Sequence, residues 1–170
     1  MELARFIRDV PDFPKPGILF KDITPLLRDG KALATCVAQL TERVRGRELD
    51  VVAGIESRGF LFAAALALEL EVGLIPMRKP NKLPYRRMSE TYALEYGSDT
   101  LEMHEDAVRK GDKVVLVDDL LATGGTMSAA RKLVERAGGT VVACLFVIEL
   151  GFLKGRQRLE GARVESLLCY

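Results

Sequence analysis

Several residue types that would mark particular classes of protein are scarce in this chain. Its 170 residues include no tryptophan, one histidine and three cysteines. Cys36, Cys144 and Cys169 are widely spaced and form no C-x-x-C pair, which argues against a disulfide framework or a zinc site and predicts three packing residues. Aromatic residues make up 6% of the chain, and 25 lysines and arginines balance 24 acidic residues. A nucleic-acid partner is therefore not expected.

Long apolar runs are also missing. No stretch approaches the roughly 18 uninterrupted apolar residues of a membrane helix, and the N-terminal segment carries Glu2 and Asp9 instead of the apolar region of a secretory signal. We therefore expect a cytoplasmic protein with no membrane partner. A chain of 170 residues, 48% of them hydrophobic, has the size and composition of one domain with a full core. We predict a single domain over residues 1–170.

What the chain does contain is an alternation of strand and helix patterns. A short helix is predicted at about Leu3–Val10 and an amphipathic one at about Lys31–Arg45. Strand DVVAGI, helix FLFAAALALEL and strand VGLIPM follow, and then two antiparallel strands, TYALEY and TLEMHE, joined by Gly-Ser-Asp. This order predicts an α/β fold with a doubly wound, mainly parallel central sheet flanked by helices. Residues 1–30 remain as a small hood or lid.

The most informative run is VVLVDDLLATGGT, residues 114–126. Its apolar residues do not alternate with polar ones, which is typical of a buried parallel strand, and the strand leads to Asp118 and Asp119 at the sheet edge where ligands bind. Adjacent carboxylates can each accept a hydrogen bond from one hydroxyl of a vicinal diol. The glycines that follow allow positive φ and close approach of the backbone to an anion at a helix N-terminus. The run predicts a phosphate site beside a diol site.

This run lacks the Lys-Ser/Thr end of a P-loop and the G-x-G-x-x-G of a dinucleotide fold. It resembles instead the 5-phosphoribosyl 1-diphosphate (PRPP) signature of the type I phosphoribosyltransferases. The resemblance implies that Asp118 and Asp119 hold the ribose hydroxyls. It also implies that a loop wraps the 5-phosphate and that Mg²⁺ is the cofactor, held mainly by PRPP and pyrophosphate oxygens. The loop residues are Ala122, Thr123, Gly124, Gly125 and Thr126.

A second phosphate-handling segment is GIESRGF, which stands where a predicted strand turns into a helix. Backbone amides at such a turn favour anions, and Arg58 can add a bidentate fork. Turns of this composition are common, so the segment alone is a weak signal. It resembles the pyrophosphate loop of the same family, which implies that Glu56, Ser57 and Arg58 lie at the leaving group. The resemblance also implies a non-proline cis peptide bond between Glu56 and Ser57.

A basic segment follows, in which five cations fall within ten residues without an acid: Arg78, Lys79, Lys82, Arg86 and Arg87. Such a run is usually a solvated loop. Beside a pyrophosphate site it has a chemical use, because cations on a closing loop would stabilise the leaving group. We therefore predict a flexible catalytic loop over residues 79–95, with Arg78, Lys79 and Lys82 at the pyrophosphate.

The base acceptor is suggested by resemblance alone. The segments DFPKPGILFKDITPLL, GIESRGFLFA, RKPNKLP, YALEYG, VDDLLATGGTM and LKGR, in this order, are similar to the adenine-specific members of the family. This implies that Phe20 stacks on adenine, that main-chain groups of Leu19 and Lys21 read its edge, and that Glu95 handles a proton near the imidazole ring. Ala122 stands where enzymes for 6-oxopurines typically carry an aspartate.

The implied reaction converts PRPP and adenine to AMP and pyrophosphate in a homodimer, with Glu95 and Arg58 as catalytic residues. Two alternatives stay open at this point. Ala122 does not exclude members that act on xanthine or orotate, and a PRPP-sensing protein without catalysis would keep the same phosphosugar site. A purely structural protein would have no use for the acidic pair and the glycine pair together.

Overall fold

The computed structural model describes residues 1–93 and 97–170. Short 3₁₀ helices cover Leu3–Phe6, Gly151–Leu153 and Gly155–Leu159. The chain divides by its contacts into two compact units, Met1–Gln39 and Leu40–Tyr170. The strands and α-helices, in chain order, are β1 (Arg8–Pro11), β2 (Leu19–Asp22), α1 (Thr24–Arg28), α2 (Gly30–Val44), β3 (Val51–Ile55), α3 (Gly59–Glu69), β4 (Gly73–Met77), β5 (Arg87–Ala93), β6 (Ser98–His104), β7 (Lys113–Leu121), α4 (Gly125–Arg136), β8 (Thr140–Glu149) and β9 (Val164–Cys169).

The first unit holds the predicted hood segment. Here β1 pairs with β2 as an antiparallel two-stranded sheet in which Val10 lies opposite Phe20. The predicted helix over Leu3–Val10 is therefore wrong beyond Phe6, because the residues after it pair across strands and tertiary pairing outweighs local helix propensity. Helix α2 begins in this unit, and its bounds confirm the predicted amphipathic helix.

The second unit confirms the predicted fold. Its five-stranded sheet has the order β4-β3-β7-β8-β9, and every neighbouring pair is parallel. Helix α3 packs on β3, β4 and β7, and α4 packs on β7 and β8. All five positions of β3 are buried. This burial on both faces explains why the central strands read as continuous apolar runs in the sequence.

The strand order places a topological switch between β3 and β7. From β3 the chain crosses through α3 to β4 on one side, whereas from β7 it crosses through α4 to β8 on the other. The two central strands are in register, with Gly54 opposite Val117. Their carboxyl ends therefore lie side by side, and the crevice between diverging crossovers is where open α/β sheets bind ligands.

The antiparallel pair β5–β6 forms a separate sheet between β4 and β7 in the chain. It packs on α4, where Lys132 and Arg136 both form ion pairs with Glu90. The first strand begins at Arg87, earlier than the TYALEY pattern indicates, and Ser98 and Asp99 belong to the second strand instead of the turn. Residues 87–93 of the predicted loop are therefore strand, stabilised by pairing that the polar local sequence does not reveal.

The cysteine prediction is only partly right. Cys36 and Cys144 are buried, and burial raises the pKa of both thiols to about 12. Cys169 is exposed, because it is the last residue of the edge strand β9. Within the described part of the chain, no helix has the length and apolar character needed to cross a bilayer.

Candidate active site

A cavity of about 360 Å³ opens at the switch point. It joins the turn after β3 to the carboxyl end of β7, so the fold brings together segments that the sequence analysis identified separately. An adjoining cavity shares Asp118, Ala122 and Thr126 and adds Thr123, Gly124 and Gly125. The residues lining the first cavity are Glu56, Ser57, Arg58, Lys79, Asp118, Asp119, Leu120, Ala122 and Thr126.

The predicted phosphate loop connects β7 to the first turn of α4. Gly124 has φ +82° and caps the helix, and its carbonyl accepts a hydrogen bond from the Ser128 amide at 3.0 Å. A Cβ on Gly124 would lie 2.4 Å from the carbonyl oxygen of Gly155. Both the backbone conformation and the space therefore require glycine. The first residues of α4 line the adjoining cavity, so the cavity lies at a helix N-terminus, where partial positive charge favours an anion.

Gly125 differs from its neighbour. It is the first residue of α4 and does not have positive φ, so the expectation of a left-handed conformation is wrong at this position. Helix geometry already fixes its backbone. A Cβ there would meet Cδ2 of Tyr92 at 3.1 Å and the Ala93 carbonyl at 3.3 Å. Its small size serves close packing of the loop on β5.

The acidic pair lies at the base of both the loop and the cavity. Asp119 is buried and forms an ion pair with Arg58 at 2.9 Å, while Asp118 accepts a hydrogen bond from the Asp119 amide at 2.9 Å. Burial and the charge of Asp119 raise the pKa of Asp118 well above its ordinary value. Burial also raises the pKa of Asp119, against the opposing effect of Arg58. These desolvated carboxylates favour a ligand that donates hydrogen bonds.

Glu56 organises the start of the basic loop. Its carboxylate accepts hydrogen bonds from Lys82 Nζ at 2.6 Å, the Lys79 amide at 2.9 Å and Arg78 Nε at 3.3 Å. Burial alone would raise the pKa of Glu56, but these donors lower it below its ordinary value. The peptide bond between Glu56 and Ser57 is cis, which confirms the implied geometry of this turn. Arg78 and Lys82 are thus ion-paired, not free as a solvated run would suggest.

Lys79 of the basic loop is linked to Thr126 of the phosphate loop through Tyr92, a residue that the sequence analysis did not identify. Its ammonium group forms an ion pair with Asp99 and donates to the Tyr92 hydroxyl at 2.8 Å. Thr126 donates to the same hydroxyl at 3.1 Å. Burial would lower the pKa of Lys79, but the hydrogen bonds to Asp99 and Tyr92 raise it. Tyr92 stands in the YALEYG segment, but no local pattern pairs it with a lysine 13 residues earlier.

The far end of the basic segment is anchored by Glu102, which is 4% exposed. Its carboxylate accepts from Arg87 Nε at 3.0 Å and from the Asn81 amide at 3.1 Å, and its backbone bridges to Arg78. The mobility of residues 79–95 stays a prediction. Glu95 lies outside the described residues.

The three predicted adenine contacts belong to β2 in the first unit. Leu19 is 50% exposed, and Lys21 forms an ion pair with Asp9 at 2.6 Å. The Phe20 ring meets Phe13 edge-on, with a centroid distance of 5.1 Å. Phe20 therefore lies in a small aromatic pair and is not a fully buried core residue.

Comparison with known proteins agrees with this geometry. The phosphoribosyl transferase domain model matches residues 22–161. The adenine phosphoribosyltransferase of Methylococcus capsulatus is 58% identical over 169 residues, covering 99% of each chain. The crystal structure of the Thermoanaerobacter pseudethanolicus enzyme of that name is 52% identical with a TM-score of 0.97, covering 99% of this chain and 98% of its own.

A third relative has been solved with ligands. The Saccharomyces cerevisiae adenine phosphoribosyltransferase, in complex with an imino-altritol bisphosphate and adenine, is 42% identical with a TM-score of 0.92. The alignment covers 98% of this chain and 96% of that one. With a family model over most of its length and relatives above half identity over nearly all of it, this chain belongs to the adenine phosphoribosyltransferase family.

Proposed function

We propose that this chain transfers the 5-phosphoribosyl group of PRPP to N9 of adenine, forming AMP and pyrophosphate. The observation that carries the proposal is the continuity of the site. A glycine-rich anion loop, a pair of desolvated carboxylates and a group of cations line adjoining cavities at one switch point. PRPP carries a phosphomonoester, a vicinal diol and a diphosphate in the same order.

In this assignment the residues Ala122–Thr126 bind the 5-phosphate through backbone amides and hydroxyls. Asp118 and Asp119 accept hydrogen bonds from the two ribose hydroxyls. As the bond from the anomeric carbon to pyrophosphate breaks, positive charge grows on the sugar, and the two carboxylates stabilise it. Arg58 is ion-paired with Asp119, so it fixes the diol site as well as facing the leaving group.

The diphosphate lies towards the turn at Glu56, Ser57 and Arg58 in this assignment. Lys79 also lines this cavity, and Arg78 and Lys82 are brought to it by their ion pairs with Glu56. Negative charge that develops on the leaving oxygen would be shared among these cations. Closure of the loop would exclude water, which competes with adenine for the anomeric carbon.

Mg²⁺ is the expected cofactor, and the carboxylate oxygens of Asp118 and Asp119 are hard donors of the kind that it prefers. The described residues contain no group of three or more His, Cys, Asp or Glu side chains arranged to hold a metal. The ion would therefore need oxygens of PRPP to complete its shell. When bound, it would offset charge on the diphosphate.

Adenine is assigned to the β2 strand of the hood. Phe20 offers a ring for stacking on the purine. Strand β2 pairs with β1 along one edge of a two-stranded sheet, so main-chain groups on the opposite edge of β2 can hydrogen-bond to the polar atoms of adenine. The yeast relative solved with adenine supports a purine acceptor. Ala122 lines the cavity with a methyl group, so the aspartate that enzymes for 6-oxopurines typically carry as a general base is missing at this position. Glu95 is proposed to exchange a proton with the imidazole ring as N9 forms its bond.

We also propose a homodimer. Leu61, Ala64, Ala65 and Leu68 recur at helical spacing on α3, and all four are partly or fully exposed, with Leu68 at 81%. An apolar stripe of this kind, with small residues at its centre, suits close packing of two helices.

A cytoplasmic location is supported by the buried thiols of Cys36 and Cys144, which form no disulfide and therefore fit a reducing compartment.

The decisive experiment incubates the protein with PRPP, Mg²⁺ and, separately, adenine, hypoxanthine, guanine, xanthine or orotate, and follows nucleotide formation. Conversion of adenine alone supports the proposal. Conversion of xanthine instead would assign a different base to the same phosphosugar site. Binding of PRPP without turnover of any base would indicate a sensor.

A further inference from the structure

The LKGR segment, residues 153–156, and its partner Glu149 line neither cavity of the active site. Glu149 is the last residue of β8 and is 6% exposed. Its carboxylate accepts two hydrogen bonds of 2.7 Å from Nε and Nη2 of Arg156, and Ser166 donates a third at 2.7 Å. The Arg156 and Ser166 bonds outweigh burial and lower the pKa of Glu149. The Glu149 carboxylate is thus a charged group that accepts three hydrogen bonds and lies at the carboxyl end of β8, on the same side of the sheet as the cavity.

The residue before Arg156 touches the phosphate loop directly. A Cβ on Gly155 would lie 2.3 Å from the carbonyl oxygen of Ala122, and one on Gly124 would lie 2.4 Å from the carbonyl oxygen of Gly155. The two backbones therefore pack against each other without side chains between them. A shift of Gly155 would be transmitted to the loop because nothing compressible separates them.

Arg156, the residue after Gly155, fixes the position of Gly155 by bonding to two strands, β8 and β9. Beyond its fork on Glu149, its Nη1 donates to the carbonyl of Val164 on β9 at 2.9 Å. The arginine thus ties the 3₁₀ segment Gly155–Leu159 to the ends of two sheet strands. Exposed ion pairs contribute little to structure, but a bidentate pair with a buried carboxylate fixes both position and orientation.

We propose that Glu149 and Arg156 are positioning residues for the 5-phosphate site. Through Gly155 they hold Ala122–Gly124 in the conformation that receives the phosphomonoester. Arg156 does not line either cavity of the active site, so it acts through the backbone and not by contact with substrate. The inference rests on the proposed function, since it assumes that this loop binds the 5-phosphate of PRPP and AMP.

The test compares Arg156→Lys, which keeps the charge and loses the fork, with Arg163→Lys as a matched control. Arg163 pairs with Glu165 at 2.9 Å near the start of β9 and donates to the carbonyl of Arg43 at 3.1 Å. Calorimetry measures the Kd of AMP, which carries the 5-phosphate, and of pyrophosphate, which does not. We expect Arg156→Lys to raise the Kd of AMP and the KM of PRPP by about tenfold or more, with pyrophosphate within about twofold and the control unchanged.

A folded Arg156→Lys protein with wild-type AMP affinity would overturn the inference, as would equal losses for AMP and pyrophosphate. If this variant does not fold, the double variant Glu149→Gln with Arg156→Gln leaves no unpaired buried charge and is judged by the same two constants. Failure of the wild-type protein to bind AMP would overturn the proposed function, and the inference with it. Wild-type binding followed by unaffected variants would overturn the inference alone.

Discussion

At the scale of single residues, burial of the acidic pair costs the unliganded protein stability. Asp118 is a carboxylate whose pKa is raised by burial and by the neighbouring charge of Asp119. Its ionised form is therefore less favourable in the folded chain than in the unfolded chain. Hydroxyl donors from a ribose would supply the hydrogen bonds that it lacks, which couples ligand binding to relief of this cost.

The first prediction concerns this cost. Because the folded pKa of Asp118 lies above the unfolded value of about 4, wild-type stability should fall as pH rises from about 4 towards the folded pKa. Asp118→Asn removes the titration, so its free energy of unfolding should exceed that of wild type by about 1 kcal/mol or more at pH 7, and the difference should vanish near pH 4. Turnover should fall by about 100-fold.

Urea unfolding at several pH values measures the difference. Asp112→Asn is the control, because Asp112 accepts from the Arg109 amide on the loop before β7, away from the acidic pair. A variant less stable than wild type at pH 7, or a difference that does not change with pH, would contradict the assignment.

A second prediction separates conformational strain from loss of space in the phosphate loop. Gly124 and Gly46 both have positive φ, but only Gly124 has a close neighbour, the Gly155 carbonyl. Alanine at Gly46 should cost about 1 kcal/mol of stability through its conformation alone, and alanine at Gly124 should cost more because of the carbonyl contact. Only Gly124→Ala should also raise the KM of PRPP, by about tenfold or more, since its methyl group must displace the loop. Steady-state kinetics with equal KM values for the two variants would show that the contact is not needed.

A third prediction concerns Glu95. If its carboxyl group exchanges a proton with the purine, Glu95→Gln should lower kcat by about 100-fold and leave the adenine Kd within a few fold. Single-turnover experiments measure the chemical step without interference from product release. Wild-type turnover in the variant would make Glu95 a structural residue.

At the scale of elements, the β5–β6 pair links the basic loop to the phosphate loop. It holds Tyr92 between Lys79 of the basic loop and Thr126 of the phosphate loop. The pair is fixed to α4 through the ion pairs of Glu90 with Lys132 and Arg136, so β5, β6 and α4 form one support beneath the two loops. A hydroxyl that bonds both loops can couple the occupancy of one end to the geometry of the other.

The fourth prediction tests this link. Tyr92→Phe removes the hydroxyl and leaves the ring that packs near Gly125. Loss of hydrogen bonds of ordinary strength should raise the KM of PRPP about three- to tenfold with little effect on the KM of adenine. Tyr85→Phe is the control, since Tyr85 is 56% exposed on the basic loop. Equal effects of both variants, or an effect on adenine alone, would exclude a coupling role in initial-rate measurements.

At the scale of the whole molecule, the α3 stripe predicts self-association. In a symmetric interface each substitution appears twice, so Leu68→Glu would place two charges in an apolar contact at a cost of several kcal/mol. We expect a dimer for wild type and a monomer for the variant in sedimentation equilibrium. Phe152→Glu, a substitution at another exposed apolar side chain, should stay dimeric. A monomeric wild-type protein, or a dimeric Leu68→Glu variant, would refute the interface.

Much of this protein is readable from local sequence. Alternating apolar segments and turns predict the parallel sheet, and the run ending in Asp118 and Asp119 predicts a phosphate and diol site at its edge, because these signals depend on neighbours in the chain. Resemblance adds the cis bond after Glu56 and the adenine acceptor. The bounds of α2, β3, α3 and β4 confirm the helical and strand periodicities.

The tertiary structure alone decided which of these groups act together. Glu56 with Lys82, Tyr92 with Thr126, and Gly155 with Ala122 are contacts between residues more than twenty positions apart. Pairing across strands also decided the structure at Val10, which lies opposite Phe20 in a strand where a helical turn was predicted. Periodicity and motif spacing describe a residue's neighbours along the chain. Charge pairing and close backbone packing depend on which strands the sheet order brings side by side.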